Sequence, residues 1–275
     1  MLPLNAAQVY KRSMNVSRNV LITGASGGIG YELAKLFARD RHNLILVARS
    51  ADKLSQVAKE LEAMSVRVKT LPLDLTDSPA PRSLFDQLQR EGVAVDILIN
   101  NAGFGAYGEF ATMPETEILG QISLNITALT ELSRLFLPAM VERRFGRIMN
   151  VASTAGFQPG PLMAVYYATK AYVISFSEAI ANEVKDSGVT VTCFCPGATH
   201  TGFASRAGND KTRVFKRAAV MPADKVALDG YRAVMEGRTL AISGMQNWLT
   251  AQSTRFAPRK LVTAISRWVS EKAES

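Results

Sequence analysis

This sequence of 275 residues has few of the residues that bind metal ions or form disulfides: it contains two cysteines and two histidines. His42 and His200 lie far apart in the chain, and with two cysteines they supply too few ligands for a metal site. Cys193 and Cys195 lie two apart in a predicted strand, where the backbone is too extended to close an ordinary disulfide. We therefore expect no metal ion, buried thiols in a reducing compartment, and a cytoplasmic protein.

Long apolar runs are also missing. No run approaches the roughly 18 residues that a transmembrane helix requires, so we expect no membrane span. The first residues, MLPLNAAQVYKRSMN, lack the continuous apolar segment of a signal peptide. We interpret residues 1–17 as an N-terminal tail or a short extra helix.

Acidic residues are outnumbered: 24 Asp and Glu face 32 Lys and Arg, for a net charge of +8. Nucleic-acid binding is one cause of a basic composition. The charge is not concentrated in one arm, however, and no basic motif interleaved with aromatic residues is present. We therefore predict a solvated basic surface and no nucleic-acid partner. A local excess at residues 206–217 could still face an acidic ligand.

Strand-like and helix-like patterns alternate along the chain, which is typical of a parallel sheet with helices on both faces. The predicted strands are residues 20–22, 43–48, 66–71, 96–100, 147–152, 189–195 and 239–243. Two long helices are predicted, at 114–140 and 161–185. The polar, basic segment 202–219 is interpreted as a substrate lid. Residues 246–275 are interpreted as a C-terminal helical extension. The helix predicted at 258–272 is amphipathic, with Leu261, Val262, Ile265 and Val269 on one face and Arg and Lys opposite. It could pack on the domain, which is the default, on another subunit or on a membrane surface.

Residues 19–30, NVLITGASGGIG, combine a buried strand, a glycine-rich turn and the start of a helix. Val20, Leu21 and Ile22 show no polar alternation, as in a strand buried on both faces. Glycines spaced G-x-x-x-G-x-G let the backbone turn sharply and let a pyrophosphate approach the helix N-terminus. The order predicts a nucleotide site, and a glycine-rich turn without a ligand is the alternative.

Tyr166 and Lys170 lie four apart in a predicted helix and therefore share a face. A nearby ammonium lowers the pKa of a phenol, which would let Tyr166 exchange a proton near neutral pH. An unrelated surface pair is the alternative. Ser153 follows the fifth strand, where ligands gather in open parallel sheets. Asn125 is a polar residue on an otherwise apolar helix, and a water linking it towards the lysine would satisfy its amide.

Together these motifs resemble the short-chain dehydrogenase/reductase family. The motifs are Thr23-Gly24-x-x-x-Gly28-Ile29-Gly30, Asn100-Asn101-Ala102-Gly103, Asn125, Ser153, Tyr166-x-x-x-Lys170 and Pro196-Gly197. Their order and spacing match from about residue 19 to residue 201. The resemblance implies an α/β fold with a single doubly wound Rossmann-type domain at residues 18–245 and a seven-stranded parallel sheet flanked by helices on both faces. The run NNAGFGAYGEF more narrowly resembles a bacterial branch related to hydroxysteroid and long-chain 3-ketoacyl reductases.

The resemblance also implies roles for individual residues. Tyr166 would act as general acid and base, Lys170 would hold the nicotinamide ribose and tune the tyrosine, and Ser153 would orient the carbonyl. Asn125 would keep a water in the proton relay. The cofactor-binding residues implied are Gly24, Ser26, Gly28, Ile29, Gly30, Arg49, Asp74, Leu75, Asn101, Ala102, Gly103, Tyr166, Lys170, Pro196, Gly197 and Thr201.

The residues that follow the second predicted strand favour NADP(H) over NAD(H). NAD-preferring dehydrogenases usually place a carboxylate there for the ribose hydroxyls. This chain has Ala48 and Arg49 instead, and an arginine offers a planar set of donors to a 2′-phosphate. A solvated surface charge is the alternative for Arg49. Asp74 and Leu75 match the family position that meets the adenine edge.

Three functions are open at this stage. The leading hypothesis is an NADP(H)-dependent oxidoreductase that interconverts a ketone and a secondary alcohol, with a small hydrophobic substrate because aromatic and aliphatic residues follow the motifs. A 3-oxoacyl-thioester reductase and a non-catalytic NADP-binding protein are the alternatives. The resemblance also implies a homodimer or homotetramer paired through the helices at 114–140 and 161–185.

Overall fold

The computed structural model describes residues 17–217 and 220–272, so the predicted tail at 1–17 lies outside the described residues except for its last position. Seven parallel strands form the main sheet, in the order β3-β2-β1-β4-β5-β6-β9. The strands are β1 Asn19–Thr23, β2 Asn43–Ala48, β3 Val68–Pro72, β4 Ile97–Asn100, β5 Gly146–Val151, β6 Val189–Cys195 and β9 Leu240–Ile242. The predicted fold class is confirmed.

Helices cover both faces of this sheet, and two short strands lie apart from it. The helices before the lid are α1 Gly28–Arg39, α2 Ala51–Glu62, α3 Ala80–Arg90, α4 Glu115–Ile122, α5 Leu129–Glu142 and α6 Ala164–Glu183. The later helices are α7 Phe203–Ala207, α8 Arg213–Arg217, α9 Ala223–Glu236, α10 Met245–Ser253 and α11 Arg259–Ser270. The strands β7 Thr199–His200 and β8 Met221–Pro222 pair with each other.

The core lies in two layers because each central strand is apolar on both faces. Val20, Leu21 and Ile22 of β1 are fully buried, as the unbroken apolar run predicts. Val20 and Ile22 pack towards α1 and α9, whereas Leu21 packs towards α3 and α5. Cys193 and Cys195 are buried free thiols, as predicted.

The strand order reverses direction between β1 and β4. On one side of this point the strands are β1, β2 and β3, and on the other side they are β4, β5, β6 and β9. In open α/β sheets such a reversal opens a crevice at the carboxyl ends of the strands. The glycine loop after β1 and the residues after β4, β5 and β6 therefore lie around one cleft.

The helix predicted at 114–140 is not one regular helix. A π-helical segment, Ser123–Ala128, separates α4 from α5, and Asn125 lies in it. Such π-helical segments are rare and are frequently found at functional sites. The segment interpreted as a lid is described up to residue 217, and it contains the helices α7 and α8 where an irregular loop is expected.

Candidate active site

The loop between β1 and α1 is open to the cleft. Gly24 and Gly28 adopt positive φ angles of 68° and 56°, which favour glycine. A Cβ added at Gly27 would meet no atom within 4 Å. The first turn of α1 contains no acidic residue. The unpaired N–H groups and the positive end of the helix dipole are therefore well suited to a phosphate group.

Thr23 and Asn101 fix the shape of this loop. The Thr23 hydroxyl accepts hydrogen bonds from the backbone N–H groups of Asn101 and Ala102, at 3.0 and 2.9 Å. The Asn101 amide donates to the carbonyl oxygens of Thr23 and Gly24, at 2.9 and 3.3 Å. A Cβ at Gly30 would lie 2.5 Å from the Gly24 carbonyl oxygen, so α1 approaches the loop too closely for any side chain there.

A cleft of about 620 Å³ collects nearly all of the predicted site residues. Those that line it are Gly24, Ser26, Gly28, Ile29, Arg49, Asp74, Leu75, Asn101, Ala102, Gly103, Ser153, Tyr166, Lys170, Pro196, Gly197 and Thr201. Gly30 and Asn125 do not line it. Gly30 serves the packing just described, and Asn125 lies behind the wall of the cleft.

Ser153, Tyr166 and Lys170 lie together where β5 ends. Lys170 is 4% exposed, and its ammonium donates to the Val151 carbonyl at 2.7 Å. The same nitrogen lies 5.8 Å from the centroid of the Tyr166 ring. The Ser153 hydroxyl accepts from the Ala155 N–H at 3.1 Å and donates to the Pro196 carbonyl at 3.4 Å. A hydroxyl, a phenol and an ammonium therefore share one wall of the cleft.

The expected lowering of the Tyr166 pKa by Lys170 is wrong for this structure. Burial raises the pKa of Tyr166 well above its ordinary value, and a hydrogen bond with Ser153 offsets only part of this effect. Burial also lowers the pKa of Lys170 to about 8. The physical reason is that burial disfavours both charged forms, while the ammonium is directed at the Val151 carbonyl. At neutral pH, Tyr166 holds its proton and Lys170 is charged.

Asn125 is fully buried, and protein groups satisfy its side-chain amide. Its oxygen accepts from the Phe104 N–H at 3.1 Å, and its nitrogen donates to the Phe104 carbonyl at 2.9 Å and to the Thr169 hydroxyl at 3.1 Å. A Cβ at Gly103 would lie 3.1 Å from this oxygen and 3.4 Å from the Lys170 ammonium. Asn125 therefore lies behind Gly103, near the lysine, and its water relay stays a prediction.

The far end of the cleft is positively charged. The guanidinium of Arg49 lies 3.7 Å from the carboxylate of Asp74, and the Arg49 side chain remains 54% exposed. Burial raises the pKa of Asp74, but hydrogen bonds from Thr76 and the charges of Arg49 and Arg206 outweigh it, so this pKa lies below its ordinary value. Burial and the charge of Arg49 lower the pKa of Arg206. The sequence marked Arg206 only as part of a basic segment.

Other residues of the segment interpreted as a lid, together with α11, line the end of the cleft opposite Arg49. The Phe203 ring lies 5.2 Å from the Tyr166 ring, and the Ala207 carbonyl accepts from the Tyr107 N–H at 2.9 Å. Asn209 also lines the cleft, and its buried side-chain oxygen has no hydrogen-bond partner among the described residues. Ser270 reaches the cleft from α11. No local sequence pattern marks Asn209 or Ser270, because tertiary folding alone brings them to the cleft.

The family model described as short chain dehydrogenase matches residues 18–212. The chain therefore belongs to the short-chain dehydrogenase family, and it is an oxidoreductase. Within the described residues, no group of three or more His, Cys, Asp or Glu side chains is placed to hold a metal ion.

The chain is also similar to several known proteins. It is 33% identical over 240 residues to the ketoacyl reductase HetN of Nostoc sp. PCC 7120, covering 87% of this chain and 82% of that one. It is 36% identical over 183 residues to the very-long-chain 3-oxoacyl-CoA reductase of Bos taurus, covering 64% of this chain but only 57% of the bovine protein. The structure of a short-chain dehydrogenase from Sphingobium yanoikuyae in complex with NADPH superposes with a TM-score of 0.78 at 35% identity, covering 87% of this chain and 94% of that one.

Proposed function

We propose that this protein is an NADP(H)-dependent oxidoreductase that interconverts a hydrophobic ketone and the corresponding secondary alcohol. The observation that carries the proposal is the placement of Ser153, Tyr166 and Lys170 on one wall of a cleft whose other side is an open glycine loop. The loop, the exposed Arg49 and the positively charged far end fit a dinucleotide with a 2′-phosphate. The NADPH complex of the similar Sphingobium protein supports the same cofactor.

When bound, a reduced nicotinamide supplies the hydride that the carbonyl carbon accepts. The chain's own residues handle the proton. The Tyr166 phenol is protonated at neutral pH and donates its proton to the carbonyl oxygen, and the Ser153 hydroxyl orients that oxygen by a hydrogen bond. The charged Lys170 ammonium stabilises the phenolate that remains. Oxidation of an alcohol runs these steps in reverse and needs the phenolate first.

The substrate end of the cleft favours an apolar molecule. Tyr107, Met163 and Phe203 line it, together with Val214 and Phe215 of α8. A site lined in this way binds hydrophobic compounds through a few well-placed polar groups. Phe157 and Leu162, which are among the aromatic and aliphatic residues that follow the motifs, do not line this cleft.

A reductase of 3-oxoacyl thioesters is the second candidate. The similarity to a ketoacyl reductase and to a 3-oxoacyl-CoA reductase favours it. Arg206 lies on the lid and lines the cleft, where it is suited to a phosphate of a thioester carrier. Turnover of a 3-oxoacyl thioester in preference to free ketones supports this candidate, and activity on free ketones alone rejects it.

Replacement of the proton donor tests the proposed mechanism. We expect Tyr166→Phe to lower kcat by about 10²–10⁴-fold, because the carbonyl oxygen loses its acid, while NADPH binds as before. NADPH oxidation with a panel of bulky ketones and 3-oxoacyl thioesters measures the rate, and fluorescence titration measures cofactor affinity. Tyr172→Phe, on the same helix but outside the cleft, is the matched control. Full turnover by Tyr166→Phe contradicts the mechanism.

We also propose that the protein is a cytoplasmic homo-oligomer. Leu119 and Ile122 on α4 and Tyr172 on α6 are large apolar residues that remain 52%, 38% and 37% exposed. These two helices pack against each other, so the three side chains belong to one neighbourhood. A second copy of the chain is well suited to bury them. None of the helices in the described part of the chain is long and apolar enough to span a membrane.

A further inference from the structure

The last helix, α11, packs on the domain by its less apolar side. Its buried residues are Val262, Ser266 and Ser270. Leu261, Ile265 and Trp268 follow one another at intervals of four and three residues, so they form one stripe, and they are 52%, 53% and 48% exposed. The sequence predicts an amphipathic helix here but not that its largest apolar residues face outward.

The preceding segment has the same character. On α10, Met245, Trp248 and Leu249 are 73%, 46% and 57% exposed, and Phe256 between the two helices is 87% exposed. Trp248 and Trp268 are the only tryptophans in the chain. We call this set of exposed residues on α10, α11 and their connection the C-terminal apolar surface. Scattered apolar residues on a protein surface are ordinary, but a run of large ones on consecutive helices marks a docking surface.

The segment that carries this surface has charges of one sign only. From Met245 to Ser270 the sequence contains no aspartate or glutamate, and its cations are Arg255, Arg259, Lys260 and Arg267. Arg267 is paired with Glu109 and Glu271, whereas Arg255, Arg259 and Lys260 are exposed. The surface therefore offers apolar side chains, both tryptophans and a net positive charge to whatever covers it.

We propose that the C-terminal apolar surface docks on an anionic lipid bilayer, with α10 and α11 lying in the interface and no segment crossing it. Amphipathic helices that combine tryptophan, leucine and isoleucine with lysine and arginine bind lipid surfaces in this way. A symmetric contact with a second copy would set the same cations against each other, which opposes that occupant. A nucleic acid would pair with the cations but would leave the aliphatic side chains exposed.

The docked surface borders the substrate cavity, and this consequence rests on the proposed function. Ser270 lines the cleft from the inner side of α11, and Tyr167 lines the same cleft. Arg213 of α8 contacts both the Trp268 ring and Glu271, which ties the lid to the same helix. The proposed bilayer contact therefore lies on the outer side of the helix whose inner side borders the cleft.

The two tryptophans make the proposal directly measurable. The full-length protein is mixed with vesicles of phosphatidylcholine alone and with vesicles of phosphatidylcholine and phosphatidylglycerol in equal parts, and tryptophan emission and co-sedimentation are recorded. We expect a blue shift and sedimentation with the anionic vesicles, both weakened by salt. The variants Trp248→Phe and Trp268→Phe each leave one reporter, so that both helices are tested. Neither readout uses catalysis, so failure here leaves the proposed function untouched.

Two double variants separate the contributions of apolar area and of positive charge to vesicle binding. Leu261→Ser with Ile265→Ser removes apolar area and is expected to weaken vesicle binding at least about tenfold. Arg259→Glu with Lys260→Glu is expected to weaken binding to anionic vesicles at least about tenfold. Val141→Ser and the pair Lys59→Glu with Arg90→Glu are matched controls away from this surface. Tryptophan emission that does not shift with anionic vesicles overturns the proposal. A concentration-dependent dimer also overturns it if the double variant Leu261→Ser with Ile265→Ser dissociates that dimer.

Discussion

Lys170 combines deep burial with a positive charge at neutral pH. Its ammonium is 4% exposed and has the Val151 carbonyl as a hydrogen-bond acceptor. Its pKa falls from 10.5 to about 8 because burial disfavours the charged form. The residue is thus held in an unfavourable environment, as is common for groups whose charge serves a reaction.

This burial predicts how stability depends on pH. The pKa of Lys170 is lower in the folded state, so between about pH 8 and pH 10.5 the unfolded chain binds more protons and stability rises with pH. From pH 8 to pH 10 we expect this group to add about 2–3 kcal/mol to the free energy of unfolding. Above about pH 10 the raised pKa of Tyr166 acts in the opposite direction, because the unfolded tyrosine ionises first.

Urea denaturation of the nucleotide-free protein at several pH values measures this effect. Lys170→Met is expected to lose the rise between pH 8 and pH 10, because the titrating group is gone. Lys59→Met, at an exposed position of α2, is the control. An unchanged pH slope in Lys170→Met shows that other groups cause the rise.

We propose that Arg49 determines the preference between the two nicotinamide cofactors. Its guanidinium is half exposed, and its described charged partner, Asp74, lies at 3.7 Å, so its donors are free to meet a 2′-phosphate. We expect Arg49→Ala to weaken NADPH binding about 10–100-fold and to leave NADH binding unchanged. Fluorescence titration with both nucleotides measures this, with Arg82→Ala as the control. Equal losses of affinity for NADPH and NADH would contradict this role of Arg49. If the variant still binds NADPH more tightly than NADH, Arg206 accounts for part of the preference.

At the scale of elements, the glycine loop depends on its attachment to the end of β4. Thr23→Val keeps the shape of the side chain but leaves the N–H groups of Asn101 and Ala102 without their acceptor. We expect a loss of about 1–3 kcal/mol of stability, because an unpaired buried donor keeps its desolvation cost. NADPH and NADH binding should weaken together, since the loop serves both phosphate chains. Thr112→Val is the surface control, and a selective loss of NADPH binding would argue against this role.

The sequence predicts the strands far better than it predicts helix faces. The apolar run within 43–48 coincides with β2, because a strand buried on both faces leaves no polar position between its ends. The π-turn at Asn125 is not predicted, since it depends on hydrogen bonds to Phe104, 21 residues earlier in the chain. The apolar residues of α11 predict an amphipathic helix, yet only the surrounding tertiary structure determines which side packs.

The same limit applies to the candidate site. The glycine loop, the Tyr166 and Lys170 pair and Ser153 are local patterns at strand ends, so the sequence predicts that they meet. The direction of the Tyr166 pKa shift depends on burial and on the Val151 acceptor, which no spacing encodes. Arg206 reaches the cleft because α7 folds over Phe104, with the guanidinium 4.5 Å from that ring.

At the scale of the whole molecule, the helix pair α4 and α6 is expected to join two copies. In a symmetric contact each residue meets the same surface of the partner, so one substitution acts twice. Tyr172 is 37% exposed and Leu119 is 52% exposed, so a glutamate at either position is tolerated by the monomer. We expect Leu119→Glu with Tyr172→Glu to yield monomers, because burying unpaired carboxylates at an interface is costly.

Light scattering coupled to size exclusion measures the mass of the wild type and of this variant across a range of concentrations. Val141→Glu on α5, also an exposed apolar position, is the control and should keep the mass of the wild type. Neither Leu119 nor Tyr172 lines the cleft, so NADPH affinity should persist in the monomer. A wild-type protein that is monomeric at all concentrations contradicts the assembly. If the variant loses both the dimer and its affinity for NADPH, pairing through α6 instead holds Tyr166 and Lys170 in place.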